Sequence, residues 1–245
     1  MKLHNIHSNI PEIYTAFLQL YDVGPILEAA WPQEWSDTII QSKEFKDWLN
    51  ALKIDGNIGL PLAGGVGRAY PIGDKYIIKF TTDRKEASAA AIIKGHDSPN
   101  AATIYDVKFI KSFKYPDSNR KSDLYAIAME RLSTGVGKRY RVAANSVYNY
   151  LDHNPGFIND PEKVSQIVIN SLPNAYKNDE ATINAVHNII NGLYDIQKKT
   201  GVLSQDPHGG NIGFKGRNPG FFDFGRSNIN YDHPKSSGVK ITNLT

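Results

Sequence analysis

The sequence predicts an α+β protein in two lobes: a small antiparallel sheet carrying one helix, then a reduced, mostly helical second lobe. Between Asn57 and Leu132, short β-prone runs are broken by glycines, with one alanine-rich segment among them. From 133 to 203 the apolar residues recur at helical spacing instead. After that, "NIGF" and "FFDFG" flank a Gly/Pro turn, which predicts a hairpin behind the last long helix.

Residues 1–55 read as a helical extension that holds all three tryptophans, Trp31, Trp35 and Trp48. The segments "PEIYTAFLQL", "GPILEAAW" and "SKEFKDWLNALK" have helical spacing, with Pro11 in a first turn and Ser42 as an N-cap. Tryptophans usually mark core, so the extension is expected to pack on the lobe behind it. Residues 56–132 form the first lobe, with strands at "IGLPLA", "GRAYPI", "KYIIKF", "TIYDVKFI" and "LYAIAMERL" and a tight hairpin at Gly73-Asp74. Its helix is "DRKEASAAAIIKG", started by Asp83 and stopped by Gly95. Residues 133–245 form the second lobe. The clearest helix there puts Ile183, Val186, Ile190, Leu193 and Ile196 on one face, between a cap at Asn178 or Asp179 and a stop at Gly201. Residues 226–245 are polar and poor in pattern.

Composition removes several classes of function. The chain of 245 residues has no cysteine, which excludes disulfides, thiolate zinc sites and cysteine nucleophiles. Its net charge of +3 comes from scattered residues, without the dense basic tract that binds nucleic acid or anionic lipid. No apolar run approaches the roughly 18 residues that cross a membrane. The amino terminus "MKLHNIHSNIPEIYTAF" lacks the apolar core of a signal peptide, so a cytoplasmic location is expected.

Three stretches carry chemistry. In "LAGGVGRAY", Gly64, Gly65 and Gly67 lie between two strands, where bare backbone N–H groups can approach phosphate or simply make a turn. Lys79 shares a strand face with Ile77 and, if that face is inward, needs an anionic partner; otherwise it snorkels to solvent. Glu86, the acid inside the following helix, is such a partner, but Asp83-x-x-Glu86 is also a capping box that needs none. The third stretch is "LSQDPHGGNIGF" with "FFDFG" behind it. The short hairpin between them lets Asn211 and Asp223 face one site, as hard oxygen donors suited to Mg²⁺. Asp206 stands where it can accept a proton from a hydroxyl. Any one of these is an ordinary turn residue; all of them in this order are not.

The ordered set resembles the protein-kinase-like superfamily over residues 60–226. "GGVG" resembles its glycine-rich loop, Lys79 its strand lysine, Glu86 its helix glutamate and "AMERL" its hinge. "QDPHGGN" resembles the catalytic loop and Asp223-Phe224-Gly225 the magnesium motif. The loop wording is similar to atypical kinases linked to ubiquinone biosynthesis and, in His208, to aminoglycoside phosphotransferases; the short plan is similar to compact bacteriophage kinases. The resemblance implies ATP and Mg²⁺ as cofactors. Lys79, positioned by Glu86, would bind the α/β-phosphates; Asn211 and Asp223 would hold the metal; Asp206 would orient or deprotonate the acceptor hydroxyl. The backbone near Glu130 and Leu132 would hold adenine. His208 would touch the γ-phosphate or stabilise the loop.

Two departures bear on mechanism. Ser204-Gln205 stands where the family has His-Arg, and residues 226–245 are too few for a long activation loop with the usual helices behind it. The sequence thus favours phosphoryl transfer to a hydroxyl, foremost Ser/Thr of a protein. The alternatives are a small-molecule kinase of aminoglycoside-phosphotransferase type, a nucleotide-binding pseudokinase and an AMP transferase.

Overall fold

Residues 33–62, 67–96, 98–114, 121–236 and 238–244 are described by the computed structural model. The expected helices at "PEIYTAFLQL" and "GPILEAAW", Pro11, Gly64 and Gly65 lie outside them. Two helices come first, α1 (Gln33–Gln41) and α2 (Lys43–Ala51). Ser42 starts the second, its Oγ accepting from the Phe45 amide at 3.2 Å. Phe45, Trp48 and Leu49, spaced by three and four, form the buried face of α2. The Phe45 ring meets Phe80 at 5.9 Å, and Trp48 Nε1 donates to Asp106 at 2.9 Å. Aromatic burial and one buried hydrogen bond thus hold α2 on the sheet.

The sheet contains β1 (Gly67–Ile72), β2 (Tyr76–Thr81), β3 (Ile104–Lys114) and β4 (Lys121–Glu130). Between β2 and β3 lies α3 (Arg84–Ile93), capped by Asp83, which accepts from the Lys85 amide at 2.8 Å, and followed by Gly95 at φ +79°. Ala87, Ala89 and Ala90 are fully buried, and their small side chains let the helix lie close to its neighbours. The strand order is β1-β2-β4-β3, all antiparallel, with a two-residue strand from the tail, Thr242–Asn243, parallel to the outer edge of β3.

This corrects two expectations. "IGLPLA" is no strand: it touches β1 only through isolated bridges, Ile58 to Ile72 and Leu62 to Ala69. Pro61 and, on the facing strand, Pro71 each lack an N–H, so a continuous ladder cannot form between them. The tail, patternless in sequence, supplies the fifth strand instead.

The second lobe has α4 (Lys138–His153), α5 (Pro161–Ser171) and α6 (Glu180–Thr200). Asp179 caps α6 and Gly201, at φ +74°, ends it; a Cβ there would stand 2.6 Å from His233 Cβ. The buried face of α6 is turned slightly from the expected one. Ala185 and Ile189 are buried with Val186, Ile190, Leu193 and Ile196, while Ile183 is only half-buried. Four short strands follow: β5 (Val202–Ser204) pairs with β8 (Ser227–Ile229), and β6 (Ile212–Lys215) with β7 (Asn218–Phe221). The tail strand is β9.

The expected strand "FFDFG" also moves. The ladder runs from Asn218 to Phe221, and Asp223-Phe224-Gly225 leave it. Asp223 Oδ1 accepts from the Gly225 amide at 3.0 Å, a local turn that competes with strand pairing. One core joins α3 and the sheet to α4, α5 and α6, with Phe221 and Phe224 inside it.

Candidate active site

Alternation along β2 sends Phe80 toward α2 and Lys79 to the opposite face. There Lys79 forms an ion pair with Glu86 of α3 and a second with Asp223 at 3.0 Å, its side chain only 16% exposed. It is a buried, doubly paired cation, not a snorkelling one. The capping box forms only in half. Asp83 bonds the helix amides, while the Glu86 carboxylate is spent on Lys79. Burial works against the Lys79 charge, but the two carboxylates outweigh it and hold the ammonium above its ordinary pKa. Burial likewise opposes the charge on Asp223, yet Lys79 and the Gly225 N–H keep it below the usual carboxylate range. Glu86 is the more buried acid, and burial pushes its carboxyl up. Asp223 is therefore the acid of this cluster whose charge its surroundings favour more, while Glu86 depends on Lys79 for its own.

The loop bearing Asp206 starts where Gly201 turns the chain out of α6 into β5. Ser204 donates its Oγ hydrogen to the Asp223 carbonyl at 3.2 Å. The Gln205 amide donates to the Arg226 carbonyl at 2.8 Å. The loop is supported here by the β5–β8 pairing and one hydroxyl. Asp206 is half-buried, and burial raises its pKa against the opposing pull of Arg226. Asn211 Nδ2 donates to the Asp206 carbonyl at 3.0 Å, which leaves the amide oxygen for a cation. The Phe222 amide meets the Asn211 carbonyl at 3.4 Å, so the hairpin brings Asn211 next to the residue before Asp223. An amide oxygen and an ionised carboxylate are a donor set that fits Mg²⁺, with phosphate and water completing it. Among the described residues no three His, Asp or Glu side chains gather as a metal site of their own.

His208 makes the loop bond: its Nδ1 accepts from the Gly210 amide at 3.0 Å. Nε2 therefore carries the hydrogen, and it stands 3.7 Å from Asp206 Oδ1. At the end of β4, the Glu130 carboxylate accepts from the Thr103 amide and hydroxyl at 3.1 and 2.8 Å and faces Lys215 at 3.3 Å. Burial opposes its charge, but these donors hold Glu130 below its ordinary pKa. Its own amide is bonded to the Thr103 carbonyl, whereas the Leu132 amide has no acceptor among the described residues. Gly67 begins β1, opposite Thr81.

Sequence reasoning missed the floor beneath Leu132. Gly213 and Gly220 face each other across β6 and β7, and Cβ atoms there would come within 2.7 and 2.5 Å of Leu132. The signal was two glycines placed symmetrically about the Gly216-Arg217 turn. Tyr148, Asp152 and Arg226, which also adjoin the loop, had no signal beyond their spacing.

A four-stranded antiparallel core sheet with one helix, its Lys–Glu pair, and a helical lobe ending in loop, hairpin and Asp-Phe-Gly make this a protein-kinase-like α+β fold. No protein-family model matches the chain, and no curated protein matches it by sequence. Among solved structures it is similar to the streptomycin–ATP ternary complex of APH(2")-IIa, with 12% identity, TM-score 0.32, and 77% of this chain and 72% of that chain covered. It is also similar to the gentamicin complex of APH(2")-IIa (12%, TM-score 0.31, 82% and 77% covered). A third is ADP-bound aminoglycoside phosphotransferase APH(2'')-Ib (12%, TM-score 0.30, 77% and 72% covered). No described helix is long and apolar enough to cross a membrane.

Proposed function

We propose that the protein is an ATP- and Mg²⁺-dependent phosphotransferase that moves the γ-phosphoryl group to the hydroxyl of a small molecule. The observation that carries this reading is Lys79 bridging Glu86 and Asp223, two acids 137 positions apart, with the loop of Asp206 tied to Asp223 through the Ser204 hydroxyl at 3.2 Å. A buried ammonium held between helix and metal motif would bind the α/β-phosphates, and the Leu132 amide, which has no acceptor among the described residues, would bond adenine. Bound at Asn211 and Asp223, Mg²⁺ would neutralise charge developing on the phosphates. Asp206, with its pKa raised by burial, accepts or orients the acceptor proton.

The path after Gly225 supports a small acceptor over Ser/Thr of a protein. Arg226 leads directly into β8, which pairs with β5, so no extended segment separates Asp-Phe-Gly from the next strand. The single residue between Gly225 and β8 is too short for a peptide platform at that point.

The test is incubation with γ-labelled or α-labelled ATP and Mg²⁺, offering amino alcohols, polyols and a generic protein substrate in parallel. Label from the γ position alone, on a small acceptor and lost in Asp206→Ala, supports the proposal. Label from the α position means AMP transfer, and label on protein alone overturns the small acceptor. Absence of ATP binding, or full turnover in Asp223→Ala, overturns the phosphotransferase.

A further inference from the structure

One stripe of α4 meets the catalytic loop instead of the core. Arg141, Asn145, Tyr148 and Asp152 follow one another at four, three and four residues, so they share a side of the helix. The core side is Ala143, Ala144, Val147 and Leu151. Asn145 Oδ1 accepts from the Gly209 amide at 3.3 Å. Gly209 has room for no side chain, since a Cβ would lie 2.6 Å from Arg141 Cγ. The Tyr148 ring stands edge-on to His208, centroids 6.1 Å apart. Arg226, the residue after Asp-Phe-Gly, donates Nη1 to the Tyr148 hydroxyl at 2.9 Å and Nη2 to Asp152 at 2.7 Å.

These contacts converge on a loop with little hold of its own. Gly209 and Gly210 are adjacent, and glycine is the residue with most backbone freedom to lose. No hydrogen bond reaches the Asp206 carboxylate among the described residues; what stands beside it is His208 Nε2 at 3.7 Å. The His208 ring is held on one side by the Gly210 amide and on the other by the Tyr148 edge. Tyr148 is anchored in turn by Arg226, and Arg226 by Asp152.

We infer that Tyr148, Asp152 and Arg226 are positioning residues of the transfer reaction: they hold His208 against Asp206 and so aim its carboxylate at the acceptor. The inference rests on the proposed function for its chemistry, but the ordering of the loop can be measured separately. The full chain is compared with Tyr148→Leu, which loses ring and hydroxyl, and Tyr148→Phe, which keeps the ring. Amide hydrogen exchange at Gly209, Gly210 and Asn211 is recorded beside kcat and the KM for ATP.

In Tyr148→Leu, exchange at these amides is expected to quicken and kcat to fall by about 10²-fold, the cost of a misplaced catalytic group, with KM for ATP unchanged. Tyr148→Phe should lie between it and the wild type in both measurements. Arg226→Met, which keeps the stem but has no donor for Tyr148 or Asp152, should resemble Tyr148→Phe. Unchanged exchange in Tyr148→Leu overturns the inference, and so does faster exchange with unchanged kcat. A rise in KM for ATP with kcat intact also overturns it, because the stripe would then serve nucleotide binding. A wild type that binds ATP but transfers no phosphoryl group overturns the proposed function alone, and the exchange data then decide whether α4 holds the loop.

Discussion

Replacing Lys79 by methionine removes the cation from between Glu86 and Asp223 while keeping much of its volume. Asp223 is 31% exposed and can remain ionised, but Glu86 is 5% exposed and loses its counter-charge in the interior. A carboxylate stranded this way takes up a proton, and that escape sets a ceiling on the cost. With an ordinary value of 4.5, neutralising Glu86 at pH 7 costs no more than about 3.4 kcal/mol, at about 1.36 kcal/mol per pH unit. The variant is therefore expected to be roughly 3 kcal/mol less stable than wild type at pH 7, within the usual range for breaking a buried pair. The sign comes from linkage. Burial raises the Glu86 carboxyl and Lys79 opposes it, so without Lys79 the folded variant binds a proton that the unfolded chain releases above 4.5, and stability falls as pH rises. The assay is urea denaturation of both proteins at pH 5.5 and pH 7. The gap should shrink by about 2 kcal/mol at the lower pH. Lys79→Met with Glu86→Gln should recover most of the loss, since both charges are gone. A gap independent of pH, or no recovery in the double variant, would refute the reasoning.

Asp206→Asn should lower phosphoryl transfer by at least ~10²-fold while leaving ATP affinity unchanged, measured by turnover and by nucleotide titration. Because burial raises the Asp206 pKa above its ordinary 3.8, the wild-type rate should begin to fall, as pH is lowered, before an exposed aspartate would titrate. Gly213→Ala would bring a Cβ to 2.7 Å from Leu132 Cβ and from the Ser133 carbonyl oxygen, so it should cost about 1–3 kcal/mol in denaturation and weaken ATP binding by moving the hinge. Trp48→Phe keeps the aromatic packing but deprives Asp106 of a donor at 2.9 Å, a loss of about 1–3 kcal/mol that melting curves would register.

Local rules made much of the fold legible. The caps at Ser42, Asp83 and Asp179 and the stop at Gly201 depend on side chains and backbone within one helical turn, so a short window contains all their causes. Period-two alternation likewise placed Lys79 opposite Phe80. The misreadings came where a second local effect competed: two prolines against the "IGLPLA" ladder, and Asp223's own turn against the "FFDFG" strand. Where contact partners are distant in sequence, the signal was absent. β9 joins β3 across more than 130 positions, and the α4 stripe meets a loop more than 50 positions further along the chain. Nothing in "KRYRVAANSVYNYLDH" distinguishes a polar stripe that faces solvent from one that grips a loop.

The sequence by itself determined which chemistry-bearing groups the chain carries and in what order: a strand lysine, a helix glutamate, Asp206 with Asn211, and Asp223. Only the tertiary structure decided which of them meet. Glu86 had two partners within reach, the amides that open its own helix and the ammonium of Lys79, and the residue pattern is the same for both. Burial decides between them. A capping bond is worth about 1 kcal/mol, whereas giving up one side of a buried ion pair costs about 3–5 kcal/mol, so the carboxylate goes to Lys79 and Asp83 caps the helix alone.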